Sequence, residues 1–353
     1  MIFNPIMDTI DNHSTIPELP EIPPVLRDKL LEGEVIIFVG NGVSRIGGVL
    51  SWKELAHAFL EDWYNDEKYQ LSYDAYRKLK MEKNDPLELL TICEGVLGKK
   101  YLLQHLSNKL LQKINQENKN ENKLKEIYGY IRDLRAGYIT TNYDSFLEDA
   151  SPTLDLLSEK EMEYMKQLRY ILPSRLNIAD LNDSLNEHIN KIVYLHGKIE
   201  QQSAQLDNKV ILTLGDYLEH YHKDENRQNG RGFLEHLAKK TFLFIGLGLK
   251  EFEIIQHINP PTNSAGLHYL LLGMSNSEAD LEEQYRKYYK VLHIQPIPYN
   301  ISYNGYDQLM YVLKNWSEQI RRSRISKYQK LIKSAQDAEN VRLIMELQNA
   351  PFE

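Results

Sequence analysis

The stretch "VIIFVGNGVS", residues 35–44, decides how this chain is read. An apolar run of strand type ends in Gly-Asn-Gly, then a small residue and Ser44. A strand that is apolar at every position suits a sheet covered on both faces. The two glycines admit two readings. They let a backbone approach a phosphate closely, and they suit an ordinary strand-to-helix turn equally well.

Working outward, "VLRDKLLEG" (25–33) reads as a short helix closed by Gly33. "SWKELAHAFLEDWYN" (51–65) is an amphipathic helix with Ser51 as N-cap. Residues 74–135 read as helical, with Pro86 at the first position of one helix. Within them "QENKNENK" (116–123) is a polar loop with no core potential. Further strands are expected at "AGYITTN" (136–142), "KIVYLHG" (191–197), "TFLFIGLG" (241–248), "HYLLLG" (268–273) and "VLHIQPIPY" (291–299). "KVILT" (209–213) is another candidate. A polar, helical stretch covers 151–190, the helix "SEADLEEQYRKYYK" joins the last two strands, and a long helical segment fills 306–349. Apolar strands alternating with helices indicate an α/β fold with a buried parallel sheet. Residues 1–24 hold five of the 13 prolines and are expected to form an extended arm, disordered or packed on a neighbour. The next segment, 25–305, would be the main domain, with helical insertions at about 74–135 and 151–190, and 306–353 a C-terminal helical segment.

Composition narrows the function classes. The net charge of −8 argues against a chain-wide nucleic-acid footprint. The single cysteine, Cys93, forms no internal disulfide and excludes a structural zinc site built on several cysteines. It sits in "LELLTICEGVL", where a buried small hydrophobe is the simpler reading than a nucleophile. The N-terminus lacks the basic start and apolar core of a signal peptide, and no apolar run reaches membrane-span length, so a cytoplasmic, soluble protein is expected. The histidines His220, His222 and His236 do not group as metal ligands. Arg321, Arg322, Arg324 and Lys327 form a basic cluster in the C-terminal helix, read as a solvated face in preference to a DNA-binding tail.

Four strand ends carry polar residues in apolar surroundings: Gly40-Asn41-Gly42-Val43-Ser44, Thr140-Thr141-Asn142-Tyr143-Asp144, His196-Gly197 and Gly246-Leu247-Gly248. In an open parallel sheet ligands bind outside the carboxyl ends of the strands. Each residue alone has a plainer reading. Asn142 could cap the following helix, Asp144 could answer that helix's dipole, and His196 could be a satisfied core histidine.

The motifs "GNGVS", "TTNYD", "LHG" and "FIGLGLKEFE", in this order, resemble those of the sirtuin-like NAD-binding family over roughly residues 30–300. With "SWKEL" after the first motif, the chain is most similar to a bacterial branch found in anti-phage defence proteins that destroy NAD. The resemblance implies a Rossmann-like parallel sheet with a helical small subdomain, and NAD as substrate with no metal. It implies catalytic roles for Asn142, Asp144 and His196. Asn142 would hold a ribose hydroxyl and a water, Asp144 the carboxamide, and His196, titrating near neutral pH, would take a proton. Gly40, Asn41, Gly42 and Ser44 would lie along the diphosphate, with Thr141 and Tyr143 in the same cofactor site. Gly246 and Gly248 would border the adenosine end, with Glu251 or Glu253 on its ribose.

Two departures matter. The four-cysteine zinc ribbon of sirtuin deacetylases cannot form here, which sets protein deacylation behind the other readings. Asn41 stands where a small alanine is usual, so its side chain either touches the diphosphate or helps hold the empty site closed. The expected function is an NAD glycohydrolase, yielding nicotinamide and ADP-ribose as the effector of an abortive-infection system. Because free activity would kill the cell, a partner must switch it on. The family pairs such enzymes with a HerA-type hexameric ATPase, and a homo-oligomer is expected. The alternatives are an NAD- or ADP-ribose-binding regulatory module and, behind it, a zinc-free deacylase.

Overall fold

The computed structural model describes residues 16–82, 85–111, 114, 118–150, 175–176, 192–199, 210–221, 240–248 and 268–337. Glu251, Glu253 and the helical stretch expected at 151–190, apart from 175–176, lie outside the described residues.

Among the described residues seven strands form one sheet: β1 (Val35–Val39), β2 (Gly137–Thr140), β3 (Arg175–Leu176), β4 (Ile192–Tyr194), β5 (Thr241–Ile245), β6 (His268–Met274) and β7 (Ile294–Asn300). Their order is β3-β4-β2-β1-β5-β6-β7, and every pairing is parallel. The all-apolar strand pattern has its cause here. Ile37 and Val39 of β1 and Leu243 and Ile245 of β5 face a large core on one side of the sheet. Phe38, Phe242 and Phe244 enter a second core on the other. A strand with period-two side chains and two buried faces must be apolar throughout.

The helices are α1 (Pro24–Glu32), α2 (Asn41–Arg45), α3 (Trp52–Asn65), α4 (Tyr73–Glu82), α5 (Pro86–Leu97), α6 (Lys99–Leu110), α7 (Asn118–Asp133), α8 (Phe146–Asp149), α9 (Leu214–Tyr221), α10 (Glu282–Lys290) and α11 (Gln308–Asp337). Ser51 caps α3 as expected, in a full capping box with Glu54. Leu26 and Leu30 of α1, Leu124, Ile127 and Ile131 of α7, and Val312, Trp316 and Ile320 of α11 bury themselves in the larger core. Tyr289 of α10 packs into the smaller one. This is an α/β, Rossmann-like fold with a long C-terminal helix. The chain runs from β1 to β2 on one side and later returns to β5 on the other. The order therefore reverses between β1 and β5, where such sheets form their ligand crevice.

Four expectations change. Within "QENKNENK" the described residues, 118–123, are not a loop, because α7 starts at Asn118 and uses them as its polar first turns. The described part of "KVILT", residues 210–213, forms no strand. Ile211 donates its N–H to the His196 carbonyl, and the N–H groups of Leu212 and Thr213 go to the Asp216 carboxylate, so no ladder can form. The described part of the arm, residues 16–24, is ordered against its own chain. The Asn300 N–H donates to the Pro17 carbonyl and Trp316 Nε1 donates to the Pro20 carbonyl at 2.7 Å. The basic cluster of α11 is split: Arg322 and Lys327 are exposed, whereas Arg321 and Arg324 are fully buried. Arg321 sits 3.5 Å from Asp133. Arg324 donates to the carbonyls of Leu30, Asp133 and Leu134, at the carboxyl ends of α1 and α7.

Candidate functional site

The two glycine motifs meet at the strand reversal. Gly40 N–H donates to the Ile245 carbonyl, and Gly42 N–H to the Gly246 carbonyl at 2.8 Å. A Cβ on Gly42 would stand 2.6 Å from the Gly246 oxygen, and one on Gly246, at φ 66°, 2.6 Å from the Val43 nitrogen. These glycines let two strand-end loops touch. The Gly42 N–H is committed to that contact, so it does not face a diphosphate in this conformation. At Gly248 an added Cβ would meet open space. Asn41 turns its side chain onto the cleft wall and donates Nδ2 to the Leu50 carbonyl at 3.0 Å.

One step along the sheet, the ends of β1 and β2 build a buried polar cluster. The Thr140 hydroxyl donates to the Val39 carbonyl and accepts from the Asn142 N–H, which fixes where Asn142 leaves the strand. Ser44, expected on the diphosphate, is fully buried beneath the cleft. Its hydroxyl donates to Asp144 Oδ2 at 2.8 Å and lies 2.6 Å from the Tyr128 hydroxyl. Asn142 Nδ2 lies 3.0 Å from both Ser44 Oγ and Tyr128 Oη, and 3.4 Å from the Gly40 carbonyl. Asn142 is 6% exposed, and its Oδ1 is buried with no hydrogen-bond partner. Asp144 also accepts the Phe146 N–H at the start of α8, so it meets the positive end of that helix, the plainer role open to it, alongside the cluster.

Asn142, Asp144, Thr141, Tyr143, Asn41 and Trp52 line a narrow cleft that opens to solvent. A second narrow cleft shares Tyr143 and Asp144. His196 lies behind, its ring 5.8 Å from Trp52, 6.4 Å from Tyr143 and 6.1 Å from Tyr217. The Tyr143 hydroxyl donates to the Ile211 carbonyl, holding the 210–213 segment against this pocket. Tyr128 was missed in the sequence. Its signal was a tyrosine inside the apolar stripe Leu124–Ile127–Ile131, since a buried phenol needs a partner.

Burial pushes the Asp144 carboxyl up to about 6, against the Ser44 and Phe146 hydrogen bonds that pull it down. Burial, with His220 nearby, pushes His196 down to about 3. The imidazole is thus neutral at physiological pH and does not titrate near neutrality as expected. Burial pushes the Cys93 thiol up to about 12, which removes it as a nucleophile. Among the described residues no group of three or more His, Cys, Asp or Glu could hold a metal ion, and no helix is long and apolar enough to cross a membrane.

The two shifts act oppositely on stability. Folded Asp144 binds its proton more readily than the unfolded carboxyl, so this contribution recovers as pH falls from about 6 towards 4. Folded His196 resists protonation, so stability is lost as pH falls from 6.5 towards about 3. Melting curves between pH 7 and roughly 4.5 should therefore steepen in their acid loss in Asp144→Asn and flatten in His196→Gln. Parallel pH slopes in wild type and both variants would refute these assignments.

The model of the SIR2-like domain matches residues 136–297. The match supports a sirtuin-like family. A SIR2-like domain implies use of NAD, and Thr141, Asn142, Tyr143, Asp144, His196, Gly246, Gly248 and Glu251 fall inside the matched span. Gly40, Asn41, Gly42, Ser44 and Tyr128 lie before it, and the sheet brings the last two against Asn142. No curated protein matches the chain.

Proposed function

We propose that the protein is an NAD glycohydrolase that cleaves NAD to nicotinamide and ADP-ribose. The observation that carries this reading is Asn142 Oδ1, a buried acceptor without a partner in a residue lining the cleft. Cleavage of the nicotinamide–ribose bond passes through an oxocarbenium-like transition state. It needs a water and the ribose hydroxyls held in place, and a fixed acceptor does this without reorganisation. Neutral His196 stands beside the aromatic wall of Trp52 and Tyr143, and Asp144 at the cleft lining suits the nicotinamide amide. The matched SIR2-like domain and the "SWKEL" continuation support the further reading as an anti-phage, abortive-infection effector. In that reading the enzyme is a homo-oligomer switched on by a partner, a HerA-type hexameric ATPase. The test is nicotinamide release from NAD by the purified protein, alone and with the product of its neighbouring gene. No release in either condition would reject it.

The low basicity of His196 favours a second reading, a module that binds NAD or ADP-ribose without turnover. Calorimetric binding of NAD with no nicotinamide released would select it.

A further inference from the structure

Counting hydrogens in the buried cluster gives it a direction. An ionised carboxylate only accepts, and a hydroxyl has one hydrogen to give. Ser44 gives its hydrogen to Asp144, so the short Ser44–Tyr128 contact is filled by the Tyr128 hydrogen. Both hydroxyl hydrogens are then committed, and what Ser44 and Tyr128 offer Asn142 is lone pairs. The Asn142 NH₂ satisfies them at 3.0 Å each. Turning the carboxamide over would set Oδ1 against two oxygens with no hydrogen to spare.

We propose that Tyr128 is a positioning residue whose hydroxyl locks the Asn142 carboxamide with Nδ2 inward, leaving Oδ1 as a pure acceptor for a donor group of the bound ligand. The relay runs Tyr128 to Ser44 to Asp144. The ligand group it selects is a hydroxyl or a water, because the donor half of Asn142 is used inside the protein. This narrows the expectation that Asn142 both donates and accepts at the substrate. Burial holds the Tyr128 phenol well above its ordinary pKa, so it stays a proton donor across the working range. The role at the ligand rests on the NAD reading; the lock does not.

Tyr128→Phe keeps the ring and removes the hydroxyl. With selective ¹⁵N-asparagine labelling, the Asn142 side-chain NH₂ should exchange at least about tenfold faster in the variant, since one of its two close acceptors is gone. In the NAD assay kcat should fall about tenfold, as for one lost hydrogen bond, with KM within about twofold. Ser44→Ala, which breaks the relay one link on, should reproduce the faster exchange. Equal NH₂ protection in wild type and both variants would overturn the lock. Faster exchange with unchanged kcat would overturn the positioning role. Faster exchange in a protein whose wild type never cleaves NAD would uphold the lock and reject the glycohydrolase reading instead.

Discussion

Asn142→Ala should lower nicotinamide release from NAD by about 10²–10³-fold, the range found when one preorganised hydrogen-bonding group is removed from a transition state. The reason lies in what Asn142 already does without a ligand. Its Nδ2 is held by Ser44 and Tyr128, so the orientation of Oδ1 is set before substrate arrives. A water or ribose hydroxyl meeting that oxygen loses its freedom only once, on binding. The alanine variant loses the acceptor and leaves the space to mobile solvent. Its melting temperature should drop by no more than about 5 °C, since the lost bonds are few. Asn142→Asp should be as inactive, because it puts an oxygen where Nδ2 now donates to Ser44 and Tyr128 and so undoes the orientation of Oδ1. Turnover of either variant within tenfold of wild type would remove Asn142 from the chemistry.

Much of the architecture was legible because it follows from local rules. β1 is apolar at every position and β5 at all but its first, Thr241, and two buried sheet faces demand that. Ser51 and Glu54 spell the start of α3 three residues apart. What could not be read depends on contacts between distant segments. That Gly42 and Gly246 serve each other follows from β1 pairing with β5 some two hundred residues away. "KVILT" has strand composition, but a strand also needs a ladder, and its amides are taken by His196 and Asp216. Asn142 and Asp144 could be marked from "TTNYD", whereas for Tyr128 the sequence signalled only a buried phenol in need of a partner, and the packing of α7 against α2 makes that partner Ser44. The basic residues of α11 misled for the same reason. Charge in a sequence reads as solvent, and nothing local reveals that two helix ends wait for Arg324.

Arg324→Ala should destabilise the protein by about 3–5 kcal/mol, close to 10 °C in melting temperature, with no change in the turnover of molecules that remain folded. The guanidinium donates to Leu30 O at 2.9 Å, Leu134 O at 2.6 Å and Asp133 O at 3.2 Å. These carbonyls lie at the carboxyl ends of α1 and α7, where intrahelical N–H donors run out and only Leu30 gains one more, a long bond from the Gly33 N–H at 3.4 Å. A cation there also meets the negative end of two helix dipoles. Alanine would leave buried carbonyls unsatisfied and a cavity the size of a long side chain. Lysine should recover only part, because a single ammonium cannot reproduce the planar fork that reaches both helices. Arg322→Ala, two residues away and facing solvent with 75% of its side chain, is the control and should stay within about 0.5 kcal/mol of wild type. A melting temperature for Arg324→Ala within about 2 °C of Arg322→Ala would show that α11 lies against the domain without fastening it.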